Sequence, residues 1–185
     1  MKKFDVEIKK ATTRQHLPAG GYVAKILNAE EVSYDWGNVL LISFDIVEGD
    51  NKDHFANDYR NQDREDKKWR GTYRLRIPLD DGSERDRWSK RTFGNAIWAI
   101  EDSNSGYHWD WNEVKLKGKF IGVLFRDREW EMNGRTGWST ECCALTSVSD
   151  IHSGNFKMPK AKSLDGSKSS AAPLHEVEDD EDLPF

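Results

Sequence analysis

The chain has 185 residues, 36% hydrophobic and 33% charged, which suffices for one domain of ordinary size plus an appendage. No apolar run approaches the roughly 20 residues that span a bilayer, and the N-terminus (Met-Lys-Lys-Phe-Asp-Val-Glu) lacks the apolar stretch of a signal peptide, so neither membrane insertion nor secretion is expected. The net charge of −5 conceals a split: residues 173–185 hold six acids and no Lys or Arg, leaving 28 basic against 27 acidic residues in 1–172.

Phe4, Val6 and Ile8 alternate with charged residues and predict a short edge strand. The turn Leu17-Pro18-Ala19-Gly20-Gly21 launches a strand over 22–29, Tyr34 to Asn38 is turn material, and 39–47 reads as a strong second strand. Thr72 to Leu79 alternates cleanly and makes a third. A helix is expected from Ser83 to about Asp102, with Ser83 as cap, Asp86 in the first turn, and Phe93, Ile97 and Ile100 on one stripe. Strands over 119–125 and 137–147 follow. The turn Met132 to Arg135 precedes the last one, and its Asn133-Gly134 pair between Trp130 and Trp138 signals a hairpin. From Asn155 onward bulky apolar residues give way to Lys, Ser, Ala, Asp and Pro, so residues 155–177 are expected to form a disordered linker between a body at 1–154 and an acidic tip at 178–185. The order strand-strand-strand-helix-strand-strand predicts a mainly β body on the plan of an OB-fold, a five-stranded, partly open Greek-key barrel. An SH3-like or other small barrel fits the same count.

Two stretches combine cations with flat rings, which is what unpaired nucleic acid needs: charges to follow phosphates, and ring faces on which bases stack. From Tyr59 to Arg76, seven basic residues (Arg60, Arg64, Lys67, Lys68, Arg70, Arg74, Arg76) face three acids, with Tyr59, Trp69 and Tyr73 between them. On a strand, Arg74 and Arg76 share one face, while Tyr73 joins Leu75 and Ile77 on the apolar one. Trp69, between Lys68 and Arg70, is expected as an exposed platform, against the plainer alternative that the whole segment is a solvated charged loop. The hairpin residues Arg126, Arg128, Trp130 and Trp138 form the second surface, and Trp36, beside Tyr34 on a turn, a third candidate. Of Trp88 and Trp98 on the helix at least one is assigned to the core, and Tyr107, Trp109 and Trp111, near Asp110 and Glu113, to packing.

Little supports catalysis. The five histidines are scattered without metal-ligand spacing, and no phosphate-cradling glycine loop or nucleophile elbow appears. The two cysteines, Cys142 and Cys143, are neighbours that a strand would point to opposite faces, so no disulfide, no metal and no cofactor are expected, and the protein reads as reduced and intracellular.

The sharpest local feature is the ending Glu178-Asp179-Asp180-Glu181-Asp182-Leu183-Pro184-Phe185. It resembles the tip of bacterial and phage single-stranded-DNA-binding proteins: clustered acids, an aliphatic residue, Pro, then a terminal Phe. The stretch from Leu17-Pro18-Ala19-Gly20-Gly21-Tyr22 through Val39 to Gly49 also looks like small proteins of phage replication modules. The resemblance implies that the body coats single-stranded DNA without sequence preference. It also implies that Asp179, Asp180, Glu181, Asp182, Leu183, Pro184 and Phe185 dock replication, recombination and repair enzymes in a bacterial cytoplasm. Physically, a ring and a carboxylate on Phe185 suit a basic-rimmed pocket, Pro184 lowers the entropic cost of docking, and the acids steer toward positive surfaces. Alternatives from other classes are an interaction protein that occupies such docking pockets without binding DNA, and an RNA-binding module. Self-association is left open.

Overall fold

The computed structural model describes residues 16–164; the expected edge strand at Phe4 to Ile8 and the acidic tip lie outside them. Strands β1 (Gly20–Tyr34), β2 (Gly37–Ile46), β3 (Thr72–Arg76), β4 (Phe120–Met132) and β5 (Arg135–Thr146) form one antiparallel sheet in the order β3-β2-β1-β4-β5. Three helices accompany it, α1 (His54–Arg60), α2 (Glu84–Ser103) and α3 (Val148–Ser153), with a 3-10 turn at Glu113–Leu116. The fold is thus mainly β, with α2 between the third and fourth strands.

Strand alternation builds the core. Ala24 pairs with Ile46 on one side and Ile121 on the other, Ile26 pairs with Phe44, and all five are fully buried. A β-bulge between Ile26 and Asn28 places Leu27 at the surface and returns Ala29 to the core opposite Ile42. The β4–β5 hairpin closes with two residues, Asn133 (φ 53°) and Gly134 (φ 72°), the double positive φ that matches strand twist and that Asn-Gly supplies at little cost.

The expected helix is present. The Ser83 hydroxyl accepts from the Asp86 amide at 3.1 Å, and Ala96, Ile97, Ala99 and Ile100 are buried. Its aromatics depart from expectation: Trp98, one residue past the apolar stripe, is exposed, and Trp88 is half-buried, so neither belongs to the buried core. In the following loop Tyr107 is buried and Trp109 half-buried, as assigned, but Trp111 is 79% exposed, its ring stacked on Phe93 with centroids 6.3 Å apart and tilted against Trp109 at 6.2 Å.

Helix α1 has no counterpart in the sequence reading. Its first turn is held by buried Asp45 of β2, whose carboxylate accepts from the amides of Phe55 and Ala56, both at 2.9 Å. At the other end of the domain, residues 155–164, assigned above to the linker, run on as part of the body. Lys162 bridges β4 in parallel at Arg128, its amide donating to the Asp127 carbonyl at 2.8 Å.

Candidate nucleic-acid interface

A cleft of about 720 Å³ lies between the two edge strands of the sheet. One wall is the entry to β3, with Arg70, Thr72, Tyr73 and Arg74; the other is the hairpin, with Arg128, Trp130, Trp138 and residues 139–142. Its floor is aromatic: Phe55 and Phe125 stack with centroids 6.0 Å apart and are buried, and Phe44 packs edge-on against both. His16, Leu17 and His54 complete the lining. Stretches separated by more than fifty residues of sequence therefore meet in one place, with three arginines facing one carboxylate, that of Glu141.

On the β3 wall, Arg74 is exposed, and no ion pair involving it occurs among the described residues. Arg70 is anchored to Asp58 at 3.2 Å. Tyr73 was expected on the core side. It packs against the core cluster and is only half-buried, so that it also lines the cleft. Trp69 differs from expectation. It is half-buried rather than an exposed platform, because its indole N–H reaches the carbonyls of Phe44 (3.2 Å) and Gly71 (3.1 Å) and its ring lies 6.5 Å from Phe55 and 6.0 Å from Tyr59. A hydrogen-bonded indole so placed packs into the wall and is not the fully exposed platform expected.

On the hairpin wall, Glu141 forks between two guanidiniums, Arg126 Nε at 3.0 Å and Arg128 Nη1 at 2.9 Å. The carboxylate fixes both side chains and cancels part of their charge. The Trp130 ring covers Gly137, where a Cβ would stand 2.6 Å from it, so Trp130 can lie against this strand only because residue 137 has no side chain. Trp138 is 51% exposed. Cys142 also lines the cleft; burial, and secondarily Cys143, push its thiol well above its ordinary value, which keeps it a neutral thiol.

The other sequence candidates are not in the cleft. Trp36 lies at the β1–β2 turn, stacked on Tyr34 at 5.0 Å with the Arg76 guanidinium 4.8 Å from its ring centroid. Arg76 is partly desolvated and also feels Arg85 of α2, and both effects lower its pKa, so one cation at this end of β3 lies against an exposed ring pair. Tyr59 and Arg60 sit on α1, where Lys67 reaches the Arg60 carbonyl at 2.9 Å and lies over the Tyr59 ring. Arg64 and Lys68 pair with Asp66 at 3.7 and 3.8 Å. These residues form a rim beyond α1. The sequence reading missed His16, His54, Phe55 and Glu141; only the charge pattern across the hairpin, Arg126 opposite Glu141, could have signalled the last.

Among the described residues no group of three or more His, Cys, Asp or Glu is placed to hold a metal ion, and no helix is long and apolar enough to cross a membrane. No protein-family model matches the chain, and comparison with curated proteins finds no match.

Proposed function

We propose that this protein binds single-stranded DNA without sequence specificity on an OB-like body, and that its acidic tail recruits replication, recombination or repair enzymes, as in proteins of phage replication modules. The observation that carries the reading is the convergence of Arg70 and Arg74 with Arg128, Trp130 and Trp138 in one cleft over an aromatic floor. Cations would follow the phosphates while the hairpin tryptophans stack on bases, each stack worth about 1–3 kcal/mol. The strand order β3-β2-β1-β4-β5 with α2 between β3 and β4 supports the OB-like plan, in which the cleft is the seam between the third and fifth strands. Nothing in this role calls for catalysis, metal or cofactor, and the partner-docking role rests on the sequence of residues 179–185 alone.

The test is titration of intrinsic Trp fluorescence with oligo-dT, duplex DNA and RNA of equal length. Oligo-dT is expected to quench emission and to bind with an affinity that falls steeply with salt, and Arg74→Ala should reduce the salt slope by about 0.7, one phosphate contact on a single strand. Emission unchanged by every strand at low salt refutes the reading in favour of an interaction protein. Preference for RNA over DNA would make the same cleft an RNA site.

A further inference from the structure

Strand β1 pairs with β4 only as far as Gly20 opposite Phe125, yet β4 runs seven residues further, to Met132, as one side of the hairpin arm. Along that stretch β5 covers one edge of β4, and the segment after α3 takes up part of the other. Phe156 lies against Gly21, where a Cβ would stand 2.7 Å from its ring, and Met158 passes Gly20. The chain then reaches β4, where the Glu129 amide donates to the Lys162 carbonyl at 2.8 Å and the Lys162 amide to the Asp127 carbonyl at 2.8 Å. The Leu164 amide adds a bond to the Glu129 carboxylate at 3.0 Å. At Lys162 the segment thus pairs with the edge of β4 that β1 leaves open beyond Gly20.

We propose that this strap is part of the strand-binding interface, holding the hairpin arm in place and adding Lys162 to its phosphate-binding face; the proposal rests on the reading of the cleft as a single-stranded-DNA site. The geometry is specific. Lys162 and Arg128 are bridge partners, and neighbours in register on adjacent strands present their side chains on one face, with strands about 4.8 Å apart. Arg128 lines the cleft but shares Glu141 with Arg126. On this face Arg126 and Arg128 share Glu141, so exposed Lys162 adds a positive charge that no ion pair among the described residues takes up. Bonds to both Asp127 and Glu129 tie the strap to the middle of the arm, three residues from Trp130 at most. An arm paired on one edge only would flex, and each stacked ring would then have to be ordered on binding.

Two full-length variants test this. Lys162→Ala keeps the backbone bonds and removes the charge; its salt slope for oligo-dT should drop by about 0.7 with amide exchange unchanged. Lys162→Pro removes the N–H that Asp127 accepts; the Glu129 amide should exchange faster, amides of α2 should keep their protection, and oligo-dT affinity should fall several-fold, more than for Lys162→Ala. If wild type binds and both variants bind like it, the strap is no part of the interface. Faster Glu129 exchange in Lys162→Pro with undiminished binding also overturns the proposal, leaving the strap a purely structural element. Failure of the wild type to bind any strand overturns instead the reading of the cleft, and this inference with it.

Discussion

Replacing Trp69 by Ala is the change that best separates a packing role from a binding one. The side chain is half-buried against Phe55 and Tyr59, and its N–H is shared between the carbonyls of Phe44 and Gly71. A fully buried Trp→Ala substitution costs about 3–5 kcal/mol, and half burial brings the packing loss to about 2 kcal/mol. Losing the shared hydrogen bond adds about 1 kcal/mol, because the Gly71 carbonyl keeps its bond from the Phe44 amide at 2.8 Å. The total is about 2–4 kcal/mol, which moves a urea midpoint by about 1–2 M at a slope near 2 kcal/mol/M. Trp69→Phe, which keeps most of the ring contact, should lose only about 1–2 kcal/mol. Equilibrium urea unfolding followed by far-UV circular dichroism reads both, and oligo-dT affinity of the folded variants should fall only modestly. A Trp69→Ala protein as stable as wild type but with oligo-dT affinity reduced by more than about 1 kcal/mol would show the indole to be a stacking platform and refute the packing assignment.

Trp138→Ala should behave oppositely, losing about 1–3 kcal/mol of oligo-dT affinity while its urea midpoint stays near that of wild type, since the ring is half-exposed on the hairpin. The Asp86 carboxyl sits below its ordinary value. Burial pushes it up, but the Lys90 ammonium and the amides of Asp80 and Gly82 outweigh that, so its stabilisation is complete above the unfolded-state value near 3.9 and is lost as pH falls through the lower folded one. Asp86→Asn should accordingly lower stability at neutral pH and flatten the loss between about pH 5 and 2, measured by thermal unfolding across that range. Phe185→Ala should abolish recovery of replication or repair proteins from a bacterial lysate while leaving oligo-dT affinity nearly unchanged, because no side-chain charge is removed; retained recovery of the same partners would reduce the tip to a solvating tail.

The elements whose signal is local were legible in the chain. The strong strand signal of 39–47 gave β2, Asn133-Gly134 gave the hairpin turn, and Ser83 with the Phe93–Ile100 stripe gave α2. What was not legible depends on distant partners. Helix α1 spans seven residues, too short for a periodic pattern, and its anchor is Asp45 on a strand ten residues before Phe55. Trp69 between two cations looked exposed because its acceptors, Phe44 and Gly71, are set by how β3 returns to β2. Residues 155–164 have linker composition, and their place is set by distant partners, Gly21 of β1 for Phe156 and the uncovered edge of β4 for Lys162. For the interface, the residue types were readable in both stretches, but their division into cleft and rim was not: Arg70 and Arg74 meet the hairpin, whereas Trp36 with Arg76, and Arg60 through Lys68, stand apart from it.

The excursion between β2 and β3 is fastened at both ends to almost the same point. It departs where Asp53 donates to the Ile46 carbonyl and Asp45 takes the first turn of α1, and it returns where Phe44 pairs with Gly71 and receives the Trp69 indole. Three consecutive residues of β2, Phe44 to Ile46, therefore act as a clasp, and the intervening chain is a handle hanging from it. The bend around Asp63 to Asp66 lies beyond the contacts that close the handle on itself, Gln62 with the Lys68 backbone and Asp58 with Arg70, so these stand between it and Phe55 or the clasp. That makes this bend the natural place to graft a fluorophore or a tether for single-molecule work, since length can be inserted there without moving either wall of the cleft.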